Sequence, residues 1–209
     1  MNRPAALCPS AMLAIALLVP VRAAQAQAPV VSHWGMQLIV GAPSGDLKSE
    51  SGANWGGGLG VQYTQDLTGT GTYLLRPRVE FLVIPGSLPG GVSGVNTSGS
   101  LMVDGQYFLA HDQDGFYLLA GIGANKASYK LQSFDQYGDQ LAATVSGTLA
   151  FAWEVGAGYN FNNHWGVEAR YLGTNLSGNY NYALDGNTGS IPGFSTSSNS
   201  LWLAGTWRF

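Results

Sequence analysis

With 209 residues, 10% charged, 45% hydrophobic and 11% aromatic side chains, and 30 glycines, the chain departs from an ordinary soluble domain, which carries about a quarter charged residues. Its aromatic and aliphatic content excludes disorder, and a net charge of -3 excludes a basic footprint for nucleic acid. The one sizeable apolar run is N-terminal, so a membrane-spanning fold would have to cross as a closed barrel, in which every backbone group finds a partner.

Met1–Ala26 reads as a secretion signal: Arg3 opens it, Ala11–Val19 forms an apolar stretch too short to span, and Ala24-Gln25-Ala26 is a small-residue cleavage site. Cys8, the single cysteine, precedes the apolar stretch rather than following it, which argues against a lipid anchor. The mature chain, 27–209, is one domain without cysteine, and so without disulfides or thiol chemistry. Loss of Arg3 and Arg22 takes the 9 basic residues to seven against 12 acidic ones.

Alternation at a two-residue period then predicts eight strands, with helix signals nearly absent. They are Ser32–Gly41, Trp55–Tyr63, Tyr73–Val83, Ser100–Ala110, Gly115–Asn125, Val145–Phe161, Trp165–Thr174 and Asn199–Phe209. The connectors alternate in length. Ala42–Asn54, Ile84–Gly99, Lys126–Thr144 and Asn175–Ser198 are long and rich in Gly, Ser, Asn and Thr; Thr64–Thr72, His111–Asp114 and Asn162–His164 are short. Long outer loops and short periplasmic turns characterise outer-membrane barrels. The expected fold is an all-β, closed, antiparallel up-and-down barrel of eight strands in the outer membrane of a Gram-negative cell.

Each strand has two faces. In the third, Tyr73, Leu75, Pro77, Val79, Phe81 and Val83 oppose Arg76, Arg78 and Glu80, with Pro77 marking a bulge. By the same phase Asp104, Glu154, Glu168, Arg170 and Arg208 share the charged face. An Arg turned to lipid would cost about 2–4 kcal/mol at the midplane, so this face is the lumen. Four arginines against four carboxylates predict an interior salt-bridge network and no open pore, because buried charge needs a partner. Gly58, Gly60, Gly121, Gly123, Gly156 and Gly158 fall on that face and make room for long side chains. Aromatic residues near strand ends, among them Trp34, Trp55, Tyr63, Tyr73, Tyr107, Phe116, Tyr159, Trp165, Trp207 and Phe209, predict two interfacial girdles.

The last nine residues, Leu201-Trp-Leu-Ala-Gly-Thr-Trp-Arg-Phe209, alternate and end on Phe. This stretch resembles the strand recognised by the outer-membrane assembly machinery, which assigns Phe209, Trp207 and Leu203 as an assembly signal. Ala152-Trp-Glu-Val-Gly-Ala-Gly-Tyr-Asn-Phe161 with Trp165-Gly-Val-Glu-Ala-Arg-Tyr171, and Phe116-Tyr-Leu-Leu-Ala-Gly-Ile-Gly-Ala124, are similar to strands of the OmpA-like, OmpX-like and Opa-like eight-stranded barrels. The resemblance covers the mature chain and includes no peptidoglycan-binding domain. It implies insertion by the barrel assembly machinery. Its members include structural proteins, adhesins and host-binding proteins, so it implies no one activity.

No cofactor, metal site or enzyme activity is expected. His33, His111 and His164 fall at the periplasmic end and read as interfacial or turn residues. Gly56-Gly-Gly-Leu-Gly60 does not complete a nucleotide-binding pattern. Asp135, Asp139 and Asp185 read as solvated loop charges, while Lys48, Lys126 and Lys130 are candidates for contact with lipopolysaccharide phosphates. Leu88, Val92, Val95, Phe134, Tyr137, Tyr180, Tyr182, Ile191 and Phe194 are apolar anchors of the outer loops, which either pack the loops on themselves or contact an extracellular ligand. The reading is a monomeric surface protein in outer-membrane lipid. The alternatives are a barrel that takes a small apolar ligand and a soluble periplasmic lipocalin-like barrel, whose polarity would be inverted.

Overall fold

The structure is a computed structural model and describes residues 33–52, 54–88, 92–110, 113–134, 140–184 and 187–209. The secretion signal, His111, Asp135, Tyr137, Asp139 and Asp185 lie outside them. Eight antiparallel strands close into a barrel in chain order: β1 His33–Ser44, β2 Gly56–Asp66, β3 Tyr73–Leu88, β4 Val92–Phe108, β5 Gly115–Phe134, β6 Gln140–Asn160, β7 Trp165–Leu184 and β8 Asn187–Arg208. Pairing can be followed round the wall from Gly35 through Gln62, Arg78, Met102, Gly123, Ala152 and Thr174 to Ser198, whose neighbour Asn199 pairs with Ser44. The ring thus closes about ten residues further along β1, a stagger that tilts the strands by about 40°.

The faces follow the alternation. Leu38, Leu59, Phe81, Leu101, Ile122, Phe151, Val167 and Leu203 point outward and are exposed, while every charged residue in the expected lumen set is buried. A soluble barrel would carry the opposite polarity. Ring pairs join neighbouring strands at the periplasmic end: Trp34–Tyr63, Tyr73–Tyr107, Phe116–Tyr159 and Trp165–Trp207, with centroids 4.8 to 5.7 Å apart. Higher on the wall, Trp153–Tyr171 forms a ring pair.

Two expectations need correction. The long connectors are largely strand, since β3 to β8 continue far past the expected ends. Beyond Lys126, β5 runs on to Phe134, and β8 begins at Asn187 rather than Asn199. A strand crosses the membrane with about 9–11 residues, so strands of 20 to 22 residues carry the sheet roughly 20 Å beyond the apolar band. Ser, Thr, Asn and Gly give no alternation to read, yet they pair once neighbouring strands hold them. The first connector also contains a short helix, α1 (Asp46–Ser51), closed by Gly52 in the left-handed region, whose N–H donates to Lys48 O at 3.1 Å. Ser197 Oγ donates to Asp46 Oδ2 at 2.7 Å, and Ser87 N–H to Gly52 O at 3.3 Å, so the α1 segment bridges β8 and β3.

The prolines explain where the sheet opens. Above Gly41 and Val83 the β1–β2 and β2–β3 ladders end, leaving the outer part of β3 paired only to β4 and that of β8 only to β7. Pro85 lies on the first of these open edges and Pro192 on the second, where a register shift follows. Proline cannot donate to a ladder and blunts an edge. Pro77 makes no bulge: the β2–β3 register is the same on both sides of it, and only the pairs opposite Tyr63 and Thr64 are missing. Register shifts occur instead at Lys126–Ser128 of β5, at Gly147–Ala152 of β6 and near Pro192 of β8.

Candidate functional site: a sealed lumen beneath a protruding sheet

The lumen is filled in layers. At the periplasmic end Leu74, Phe108, Tyr117 and Leu119 form an apolar plug. Above it lie the ion pairs. Arg76 meets Asp104 at 3.0 Å and Glu168 at 2.7 Å, Arg78 meets Glu80 at 3.0 Å, and Arg170 meets Glu80 at 2.6 Å and Glu168 at 3.1 Å. Arg78 also pairs closely with Asp104 and Glu154, and Arg170 lies 3.6 Å from Glu154. All seven residues are at most 4% exposed. Four strands, β3, β4, β6 and β7, supply them, so the network ties the wall together across its diameter.

Neutral groups complete the network. Tyr117 Oη donates to Glu168 at 2.8 Å, and Gln37 Nε2 to Glu168 at 3.2 Å and to Gln62 at 2.6 Å. Gly121 lies opposite Asp104 on β4 and Glu154 on β6, and a Cβ there would collide with Asp104 Oδ1. A Cβ at Gly158 would run into the Tyr117 ring.

Over the ion pairs sits a second apolar plug of Ile39, Leu82, Ile84, Met102, Leu172 and Trp202. Neither plug follows from the sequence reading above, in which charge alone identifies the lumen face. The signal was present: Tyr117, Leu119 and Trp202 share the phase of the lumen glycines and charges. An alternating apolar strand cannot say which of its large residues turn inward until a charge sets the phase.

Arg208 departs from expectation. It is buried, but its guanidinium donates to Asn162 O at 3.1 Å in the β6–β7 turn instead of to a carboxylate of the network. The last residue of β8, it stands below the lower plug. The network therefore holds three guanidinium groups and four carboxyl groups. The periplasmic turns are organised by side-chain acceptors: Asp66 accepts from Thr68, Gly69 and Gly71 N–H, and Asn162 Oδ1 from His164 and Trp165 N–H. Leu203, Trp207 and Phe209 face outward, and Phe209 N–H donates to Trp34 O at 2.9 Å.

Outside, Lys126 and Lys130 project from the outer wall of β5 and Lys48 from α1, all exposed. Lys126 lies opposite Leu149, at the upper margin of the apolar band. Tyr180 and Tyr182 are adjacent on the protruding part of β7, with ring centroids 6.4 Å apart, and Ile191 of β8 is exposed.

Comparison with known proteins agrees with this geometry. The family described as the outer membrane protein beta-barrel domain matches residues 11–195. Virulence membrane protein PagC of Salmonella typhimurium is 39% identical over 80 residues, which span 38% of this chain and 42% of PagC. The structure of Ail, the attachment invasion locus protein of Yersinia pestis, determined with the heparin analogue sucrose octasulfate, superposes with a TM-score of 0.51 at 13% identity, covering 87% of this chain and 100% of Ail. A major outer membrane protein of Thermus thermophilus gives a TM-score of 0.51 at 14% identity, covering 84% of this chain and 99% of its own.

Proposed function

The chain belongs to the outer-membrane β-barrel family, and from that premise we propose that it is a non-conducting, non-enzymatic surface protein that presents the protruding sheet of β3–β8 for recognition outside the cell. The observation that carries this reading is the length of those strands. The bilayer needs about half of each, and ordering the remainder in water costs conformational entropy that membrane anchoring alone does not require. The lumen below is closed at three levels, which favours an anchor over a transporter. Residues 1–26 act as the export signal, and Leu203, Trp207 and Phe209 as the signal read by the assembly machinery.

The partner differs from a sulfated polysaccharide. All four arginines among the described residues are buried inside the barrel, leaving Lys48, Lys126 and Lys130 as the lysines outside it. A polysulfated ligand needs a denser cationic surface. The recognition surface is instead neutral, with Tyr180, Tyr182 and Ile191 as its apolar contacts.

Adherence of bacteria displaying the full chain to epithelial monolayers should exceed that of bacteria displaying a barrel in which β7 and β8 are joined by a short turn in place of residues 177–195. Equal adherence would remove the recognition role. In planar bilayers the purified protein should show no steady ion conductance, and a stable open channel would remove the sealed-anchor reading.

The three lysines contact lipopolysaccharide phosphates, for which an ammonium is a good point-charge partner. Replacing Lys48, Lys126 and Lys130 by Gln should reduce lipopolysaccharide copurification severalfold. Unchanged copurification would discard the contact.

A further inference from the structure

The ion pairs of the lumen do not balance. Arg76, Arg78 and Arg170 face Glu80, Asp104, Glu154 and Glu168. Arg208 is the one other buried cation among the described residues, and it stands below the lower plug. Four ionised carboxylates would leave this layer with one negative charge in excess, between two apolar plugs that keep water away. Burial of an uncompensated charge is expensive, and a titratable group so placed takes its neutral form instead.

The geometry singles out two of the four acids. Asp104, Gly121 and Glu154 form one row across β4, β5 and β6. With strands about 4.8 Å apart, the backbones of the two acids are roughly 10 Å from each other. Both side chains bend over the glycine between them, where a Cβ would meet Asp104 Oδ1 and Glu154 Cγ. A side chain at 121 would hold them apart, whereas glycine lets the two carboxyl groups come within hydrogen-bonding reach of each other. Their guanidinium contacts use the other oxygens. Arg76 and Arg78 donate to Asp104 Oδ2, Arg78 also donates to Glu154 Oε2, and Arg170 lies 3.6 Å from that same atom. Asp104 Oδ1 and Glu154 Oε1 are buried and accept no hydrogen bond from a described N–H or hydroxyl donor. Glu80 and Glu168 differ, since both oxygens of each have partners. Arg78 and Arg170 meet Glu80 Oε1 and Ser100 donates to its Oε2, while Glu168 takes Arg76 and Tyr117 on Oε2 and Gln37 and Arg170 on Oε1. A carboxylate can only accept, so two carboxylates in contact repel each other, whereas an acid beside a carboxylate donates to it.

We propose that Asp104 and Glu154 form a proton-binding site, with one hydrogen held between Asp104 Oδ1 and Glu154 Oε1, so that the sealed layer carries three negative charges against three positive ones. The one proton satisfies both orphaned oxygens and removes the excess charge, and it belongs to the pair rather than to either residue. The folded barrel then keeps a proton that the unfolded chain releases above the carboxylate range. By linkage its stability falls as the pH rises from that range to the point where the folded pair lets the proton go.

The test is infrared spectroscopy of the folded, full mature barrel at a pH well above the carboxylate range. The carbonyl stretch of a neutral carboxylic acid, which stands clear of the amide and carboxylate bands, should be present in wild type and absent from both Asp104→Asn and Glu154→Gln. In each variant the new amide donates to the carboxylate that remains, so each should fold, shown by its electrophoretic shift on heating. A wild type without the acid band would overturn the site, and so would a band that survives either substitution. Proton linkage gives an independent check. Urea titration of wild type and Asp104→Asn over the same pH series cancels the titration of groups elsewhere, such as His33. Relative to the variant, the unfolding constant of wild type should rise about tenfold per pH unit above the carboxylate range, as release of one proton requires. Parallel profiles would mean that all four carboxyl groups are ionised in the folded barrel and would overturn the proposal.

Discussion

Arg78→Met should destabilise the barrel by about 3–5 kcal/mol, the cost of breaking a buried ionic network by removing one partner. Arg78 touches three carboxylates, Glu80, Asp104 and Glu154, all at 3.0 Å or less. Without it, Arg76 and Arg170 would remain to balance four buried carboxyl groups. Each carboxylate keeps one other guanidinium contact, to Arg76 or Arg170, so the loss comes from surplus negative charge rather than from one abandoned group. Two consequences separate this account from a packing defect. Lowering the pH into the carboxylate range should return part of the lost stability, because protonation of the folded state removes the surplus. Adding Glu154→Gln should also return part of it, giving a positive coupling in a double-mutant cycle. Urea titration of the folded band on unheated gels reads all three effects. A loss under about 1 kcal/mol would mean that water enters the network and screens it.

The second large effect is expected at Trp202. Its side chain is 3% exposed and belongs to the upper plug with Ile39, Leu82, Met102 and Leu172, and its indole N–H donates to Ser200 Oγ at 2.6 Å. Trp202→Ala should cost about 3–5 kcal/mol through lost burial and the cavity left behind. Closed strands cannot collapse inward to refill the space, which places the expected loss at the upper end. Gly41→Val tests the same plug from the β1 wall, because a Cβ there would collide with the Trp202 ring and with Leu201 O. The gel titration used for Arg78 serves both variants. A Trp202→Ala barrel as stable as wild type would show that the ion pairs alone hold the lumen.

The expected effects are large because the lumen is the only core an eight-stranded membrane barrel has. Its outer wall faces lipid and gains little from internal packing, so the layers between the plugs must supply cohesion. Extracellular variation can then be confined to the protruding sheet without touching that core, which suits an anchor for a recognition surface.

The sequence by itself determined the strand count, the direction each strand faces and the place of the charges. A charge such as Glu80 or Arg170 has one tolerable face in lipid, and a two-residue period carries that choice along the whole strand. It also determined that aromatic residues gather near the strand ends, because rings such as Trp165 and Trp207 favour the membrane interface. Tertiary structure decided the rest. The strands continue through Ser-, Thr- and Asn-rich stretches because pairing, not hydropathy, holds them there. Arg208 leaves the network because it stands below the lower plug, a height fixed by the register of β8 against β7 and β1. The two apolar plugs inside a charged lumen, the bridge made by α1 and the approach of Asp104 to Glu154 depend on which side chains meet across the barrel. Those meetings join residues far apart in the chain, and no local pattern records them.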